Sequence, residues 1–313
     1  MIIRSARTEK RRRLLKAMAA VPLGSLLWPD AGSVLSIGQE SVKRIPGFRF
    51  KLSLNAYSFD ALLREGSMSL EALLEYCAAE GFDAVDLTGY YFRGYPSIPS
   101  DEEIHAVKRK AFLLGLDISG TGVRNDFTYP DVSRREEDLL LVKRWIGAAA
   151  KLGAPVLRVF AGKQDTAGYT REQVAAWIAA DLKECAACGA EHGVMIGIQN
   201  HNDHIKTADQ AIKILEMVDS PWCGLIVDTG SFRSGDPYAE IAKVAPHAIN
   251  WQIKEHMFVN GDQVPVDLRR LAEIIRAAGY RGYLPIETLG PGDPRLKVPA
   301  FLGQVRSALG SPR

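Results

Sequence analysis

Short apolar runs that end on a polar side chain recur along this chain, and amphipathic stretches separate them. The runs at 52–58, 84–88, 117–121, 156–161, 194–200, 224–228, 248–254 and 283–287 read as eight strands. Between them, Leu70, Leu73, Leu74, Cys77 and Ala78 fall on one helical face. Four pairs have capping-box spacing: Ser100 with Glu103, Ser133 with Glu136, Thr170 with Gln173, and Thr207 with Gln210. In such a box the hydroxyl accepts from a free backbone N–H while the later side chain reaches back. Asp236 before Pro237 predicts a further helix start. Gly81, Gly115, Gly153, Gly193 and Gly279 stand where helices should stop.

Alternating short strands and helices imply parallel pairing through βαβ crossovers. Eight such units over about 250 residues suit a closed (β/α)8 TIM barrel, one α/β domain over residues 42–313. A doubly wound open sheet fits less well, because no glycine-rich dinucleotide turn follows the first strand.

The opening of the chain follows a different pattern. Arg11-Arg12-Arg13-Leu14-Leu15-Lys16 resembles a twin-arginine export motif, and an apolar run at 17–28 follows it. That run is shorter than the roughly 20 apolar residues of a stable membrane span. Residues 1–41 therefore read as an export signal and linker, and the expected location is the periplasm, tethered there if the signal stays uncleaved. The alternative is a basic amphipathic first helix of the fold. Composition is otherwise that of a globular protein, with 47% hydrophobic and 24% charged residues. Net charge is +2, and much of the positive charge lies before residue 17, so the remainder offers no basic surface for nucleic acid. Cys185 and Cys188 have redox or zinc spacing, but they sit late in a predicted helix without further ligands nearby, and read as small packing residues.

In a barrel the strand ends at one mouth form the site. The polar residues at those ends are Asn55, Tyr57, Asp86, Thr121, Arg158, Gln199, His201, Asp228, Gln252, Lys254 and Glu287. Singly, each has a structural explanation: Asp228 as a turn residue, Asp86 as a helix cap, Gln252 as a buried amide, Arg158 as a counter-ion. Together they would place several ionisable groups near one point, which is unfavourable unless a divalent metal or a polar substrate pairs them. His201 and His204 follow the fifth run, spaced for metal ligation, proton transfer or a solvated loop. His201 shares the face of Gln199.

The series Gln199-Asn200-His201, Asp228-Thr229-Gly230, Gln252-Ile253-Lys254-Glu255 and Pro285-Ile286-Glu287 resembles the xylose-isomerase-like TIM-barrel superfamily over about residues 50–308. That resemblance implies one divalent metal, Mn²⁺ or Mg²⁺, held by Gln199, Asp228, Gln252 and Glu287. Asp228 and Glu287 match the family pattern, and Gln252 takes a position where some members also use glutamine. Gln199 departs from it, since a glutamate is usual there. An amide binds a hard cation without charge and cannot serve as a base near neutral pH. A two-carboxylate epimerisation is therefore disfavoured. The resemblance leaves a one-base route in which Glu287 removes a proton next to a carbonyl polarised by metal and Lys254, with His201 acting at a second position. Asn55, Tyr57, Asp86 and Arg158 would bind the substrate.

The expected function is a metal-dependent sugar isomerase or epimerase, or a keto-sugar lyase, acting on a small carbohydrate. A homo-oligomer is compatible with the sequence. The competing expectation is a carbohydrate-binding or accessory barrel without isomerase activity. DNA repair in the manner of the superfamily's three-metal endonuclease is disfavoured by the six histidines and the missing basic groove.

Overall fold

A computed structural model describes residues 50–233 and 235–310. The expected export segment lies outside these residues. The strands are β1 Lys51–Asn55, β2 Ala84–Thr88, β3 Asp117–Gly122, β4 Val156–Phe160, β5 Met195–Gln199, β6 Cys223–Asp228, β7 Ala248–Lys254, β8 His256–Val259, β9 Asp262–Pro265 and β10 Tyr283–Glu287. Eight of them close a barrel in the order β1-β10-β7-β6-β5-β4-β3-β2, and all its neighbours are parallel. The helices are α1 Asp60–Arg64, α2 Leu70–Ala79, α3 Asp101–Leu113, α4 Val132–Leu152, α5 Arg171–His192, α6 Ala208–Val218, α7 Pro237–Val244, α8 Leu268–Ala277 and α9 Pro294–Leu309. This is the TIM barrel that the alternation predicts. Among the described residues, no helix is long and apolar enough to cross a membrane.

Period-two alternation divides each strand between two environments. Leu54, Val85, Leu157, Ile198, Val227, Ile253 and Ile286 belong to the apolar cluster shared with helix residues such as Leu73, Trp145, Ile178 and Leu271. Burying one such Leu or Ile side chain contributes about 1.5–3 kcal/mol. The alternate positions, Asn55, Asp86, Arg158, Gln199, Asp228, Gln252 and Glu287, are buried and polar. The same alternation that builds the outer core thus points a ring of polar side chains into the barrel.

Most helix boundaries follow the predicted chemistry. Thr170 and Thr207 make full capping boxes with Gln173 and Gln210, and Asp236 caps α7 ahead of Pro237. Gly153 and Gly193 end α4 and α5 with φ of 86° and 69°, a region that favours glycine. Ser133 is a correction: α4 starts two residues earlier than a Ser133 cap implies and is capped by Asp131, whose carboxylate accepts from the Ser133 N–H at 2.9 Å. The first strand also stops before the expected 58. Asn55 Oδ1 accepts from the Tyr57 N–H at 2.9 Å and turns the chain into a 3-10 helix, so Tyr57 leaves the strand. An antiparallel hairpin, β8–β9, follows β7 and was not predicted. Its signal was Asn260-Gly261, both at positive φ as a tight hairpin turn requires.

Candidate active site

A cleft of about 650 Å³ opens at the C-terminal mouth of the barrel. Its floor carries Gln199, Gln252, Lys254 and Glu287, and its walls carry Tyr57, Tyr90, Tyr129, Phe160 and His201. Strand register brings the floor together: Glu287 pairs with Lys254 across β10 and β7, and Asp228 pairs with Gln252 across β6 and β7.

The four expected metal ligands do converge, but on nitrogen. The Gln199 amide nitrogen donates to Asp228 Oδ2 and to Gln252 Oε1, each at 2.7 Å. A carboxylate only accepts, so the N–H edge of Gln199 must face Asp228. Glutamate at 199 would instead bring a second negative charge against Asp228. Asp228 is fully engaged below the cleft. Its Oδ1 accepts from the Gly230 N–H at 2.9 Å, and its main chain is clamped by the Asn200 side chain through two hydrogen bonds of 2.9 Å. Lys254 completes the cluster: its ammonium donates to Glu287 Oε1 and lies 3.6 Å from Asp228 Oδ2.

These residues do not fit a divalent ion. Hard cations take oxygen ligands, whereas here Asp228 and Gln252 both accept from the Gln199 amide nitrogen and the Lys254 ammonium bridges the two carboxylates. Among the described residues, no group of three or more His, Cys, Asp or Glu side chains can hold a metal. The ligand set expected for Gln199, Asp228, Gln252 and Glu287 is therefore replaced by an internal hydrogen-bond network.

Electrostatics suit proton transfer. Burial lowers the Lys254 pKa, but Asp228 and Glu287 more than reverse this and leave it raised, so the side chain stays an ammonium. Burial raises the Glu287 pKa, opposed by Lys254. A carboxylate with a raised pKa is a better match for drawing a proton from carbon. His201 packs its ring 4.6 Å from Phe160. Its surroundings lower its pKa by desolvation, and Arg158, Lys254 and Lys163 add to this against Asp228, so it is a neutral imidazole near pH 7. It lines the cleft, where it can accept or relay a proton.

Arg158 forms the opposite wall. Its guanidinium donates to the Tyr90 hydroxyl, stacks 4.2 Å from the Phe160 ring centre, and keeps Nη1 buried without a partner. Gly122 makes room for it, since a Cβ there would meet Arg158 Nη2 at 2.6 Å. The Gln199 carbonyl oxygen is likewise buried and unpartnered. Two residues that line the cleft thus hold one unpartnered donor and one unpartnered acceptor.

Asn55, Tyr57 and Arg158 line the cleft as expected. Asp86 does not. It lies in the interior layer, where a Cβ on Gly120 would come within 3.0 Å of its Oδ2 and 3.2 Å of Asn250 Nδ2. Burial raises its pKa to about 6, partly offset by Arg158. Between the unfolded value of 3.8 and about 6, the folded state keeps a proton that the unfolded chain has lost. This group's stabilisation is thus complete below 3.8 and is lost as pH rises through 6, an effect on the order of 3 kcal/mol at 1.36 kcal/mol per pKa unit. Denaturant unfolding from pH 4 to pH 8 should show Asp86→Asn with a flatter stability profile than the native chain. Parallel profiles would show that Asp86 titrates normally.

Tyr90, Tyr129, Phe160 and Leu289 line the cleft and were missed from sequence. For Phe160 a signal existed, because it stands two residues after Arg158 on the same strand face. Tyr90 sits in a short 3-10 helix, Gly89–Tyr91, and Tyr129 and Leu289 on loops, where no periodicity marks the inward side. Asn200, the clamp on Asp228, was also passed over beside its more reactive neighbours. The Cys185 and Cys188 expectation stands: both thiols are free, with Cys185 buried and Cys188 half-buried in α5.

Comparison with known proteins agrees with this architecture. The family profile described as xylose isomerase-like TIM barrel matches residues 74–303. Among solved structures, the 3-keto-D-glucoside 4-epimerase of E. coli superposes with a TM-score of 0.68 at 17% identity, covering 83% of this chain and 100% of that one. The D-psicose 3-epimerase of Clostridium cellulolyticum gives 0.68 at 15% identity, covering 83% and 99%. A xylose isomerase domain protein of Planctomyces limnophilus gives 0.65 at 15%, covering 84% and 99%. Comparison with curated protein sequences gives no match.

Proposed function

The chain belongs to the xylose isomerase-like TIM-barrel family, and on that premise we propose that it is a sugar isomerase or epimerase acting on a keto-sugar. The observation that carries this reading is the buried Lys254–Glu287 pair on the floor of a polar, aromatic-walled cleft. Glu287 removes the proton from the carbon next to the substrate carbonyl. Lys254 and the free Nη1 of Arg158 stabilise the oxygen as it gains negative charge, the setting in which fixed donors contribute most. Protonation of that oxygen, loss of the proton from the hydroxyl on the deprotonated carbon and return of a proton to the former carbonyl carbon give isomerisation. Delivery of a solvent-derived proton to the opposite face of the carbon gives epimerisation, with the neutral His201 imidazole relaying that proton while Glu287 releases its own to solvent. Loss of a leaving group one carbon further on would make the same base the start of a β-elimination. None of these steps calls on a divalent ion.

Tyr57, Tyr90, Tyr129 and Phe160 supply flat faces and hydroxyls suited to a sugar. The names of two fold neighbours point to keto-sugars as well. If residues 1–41 direct export, free sugars and glycosides are the accessible substrates.

The test is solvent exchange. Free ketohexoses and 3-keto-glucosides, incubated with the protein in D₂O, should lose the NMR signal of one C–H beside the carbonyl and yield an isomer, an epimer or an unsaturated product. Sugars that bind with no exchange at any carbon would make the protein the binding barrel that the Gln199 substitution suggests.

A further inference from the structure

We infer that Lys254 takes the place of a divalent cation, so that the site carries its own built-in positive charge. The inference rests on the proposed function only in taking this cluster as the reacting centre. The Lys254 ammonium touches Glu287 and stands 3.6 Å from Asp228, bridging the two carboxylates that match the superfamily's metal ligands. It reaches this point because β7 alternates: Gln252 and Lys254 are two residues apart on one face.

The neighbours are fitted to a lysine. Gly230 leaves room for its stem, since a Cβ there would lie 2.9 Å from Lys254 Cγ and 3.3 Å from its Cβ. The Thr229 hydroxyl accepts from the Lys254 N–H at 2.9 Å, which fixes the start of the side chain. Gln199 is fitted too. With both carboxylates ionised, the ammonium leaves the Asp228–Glu287–Lys254 cluster with a single net negative charge. A glutamate at 199 would leave it over-charged unless a dication were present. With glutamine, the amide instead donates to Asp228 and Gln252 and closes the network. The amide at 199 and the ammonium at 254 therefore complete one network around the two carboxylates. A dication entering this cluster would meet an ammonium held between its own ligands, and like charges at that distance repel strongly where water is excluded.

The consequence is a site indifferent to chelators, and it is tested without substrate. Full-length native protein should carry no stoichiometric divalent metal by elemental analysis. Mn²⁺ should raise its melting temperature by less than about 1 °C, the shift of a ligand far below its Kd. Gln199→Glu combined with Lys254→Gly supplies the missing charge and empties the ammonium position. It should bind Mn²⁺, seen by electron paramagnetic resonance, with a rise of about 5–10 °C at 100 times Kd. Gln199→Glu alone keeps the ammonium and should gain no Mn²⁺ stabilisation, which keeps the test open where the double variant does not fold. Stoichiometric metal in the native protein, or Mn²⁺ stabilisation of Gln199→Glu alone, overturns the inference. Either result leaves the exchange experiment with keto-sugars to be judged separately.

Discussion

Glu287→Gln should lower turnover of a keto-sugar by about 10²–10⁴-fold, the range for removing a positioned general base. Glutamine keeps the size and can still accept from Lys254, so the barrel should remain folded. The loss should fall on kcat, because the carboxylate acts on the reacting carbon and makes little uniform contact with the rest of the sugar. Single-turnover exchange in D₂O isolates the proton-transfer step. If Glu287→Gln exchanges substrate hydrogen at the native rate, the base lies elsewhere, and His201 becomes the first residue to replace.

Lys254→Met should affect stability and activity together. The native ammonium is the near partner of both Asp228 and Glu287, which are buried. Removing one side of a buried ion pair costs about 3–5 kcal/mol, because the remaining charge is left uncompensated in a poorly solvated place. The deficit should be largest at high pH, where Glu287 is ionised, and should shrink as pH falls and Glu287, whose pKa burial raises, takes up a proton. Turnover should drop by about 10²–10³-fold, as for loss of a donor to a developing oxyanion. Adding Asp228→Asn separates the two effects: it relieves the surplus charge and should recover much of the stability while leaving turnover low. Equal stability of native and Lys254→Met at pH 8 would mean that the ammonium does not compensate the cluster.

Under the proposed function, these variants separate a carboxylate that moves protons from a lysine that supplies charge, with the aromatic walls and Arg158 left to hold the sugar. Arg158 owes its position to two distant features, the absent side chain at Gly122 and the Phe160 ring beneath its guanidinium.

Much of this could be read along the chain. Alternation in β7 and β10 puts Gln252, Lys254 and Glu287 on the inner face, and local cap chemistry marks α5, α6 and α7. These follow from forces acting within a few residues, which a linear sequence displays. Asp86 could not be placed this way. It has the same parity as the site residues, yet how far a strand end reaches into the mouth depends on its register against its neighbours. Here a register shift between Val85 and Asp86 in the β2–β3 pairing sets Asp86 opposite Gly120.

Sequence by itself determined the barrel, the strand faces and the identities of Lys254, Asp228 and Glu287 as the residues of interest. Only the tertiary structure decided what they do to one another. Whether an amide presents its oxygen or its nitrogen, and whether an ammonium or an empty cage lies between two carboxylates, depends on side chains from β5, β6, β7 and β10 meeting within hydrogen-bond distance. Hydrogen bonding and charge pairing act over a few ångströms, and no spacing along the chain encodes that contact.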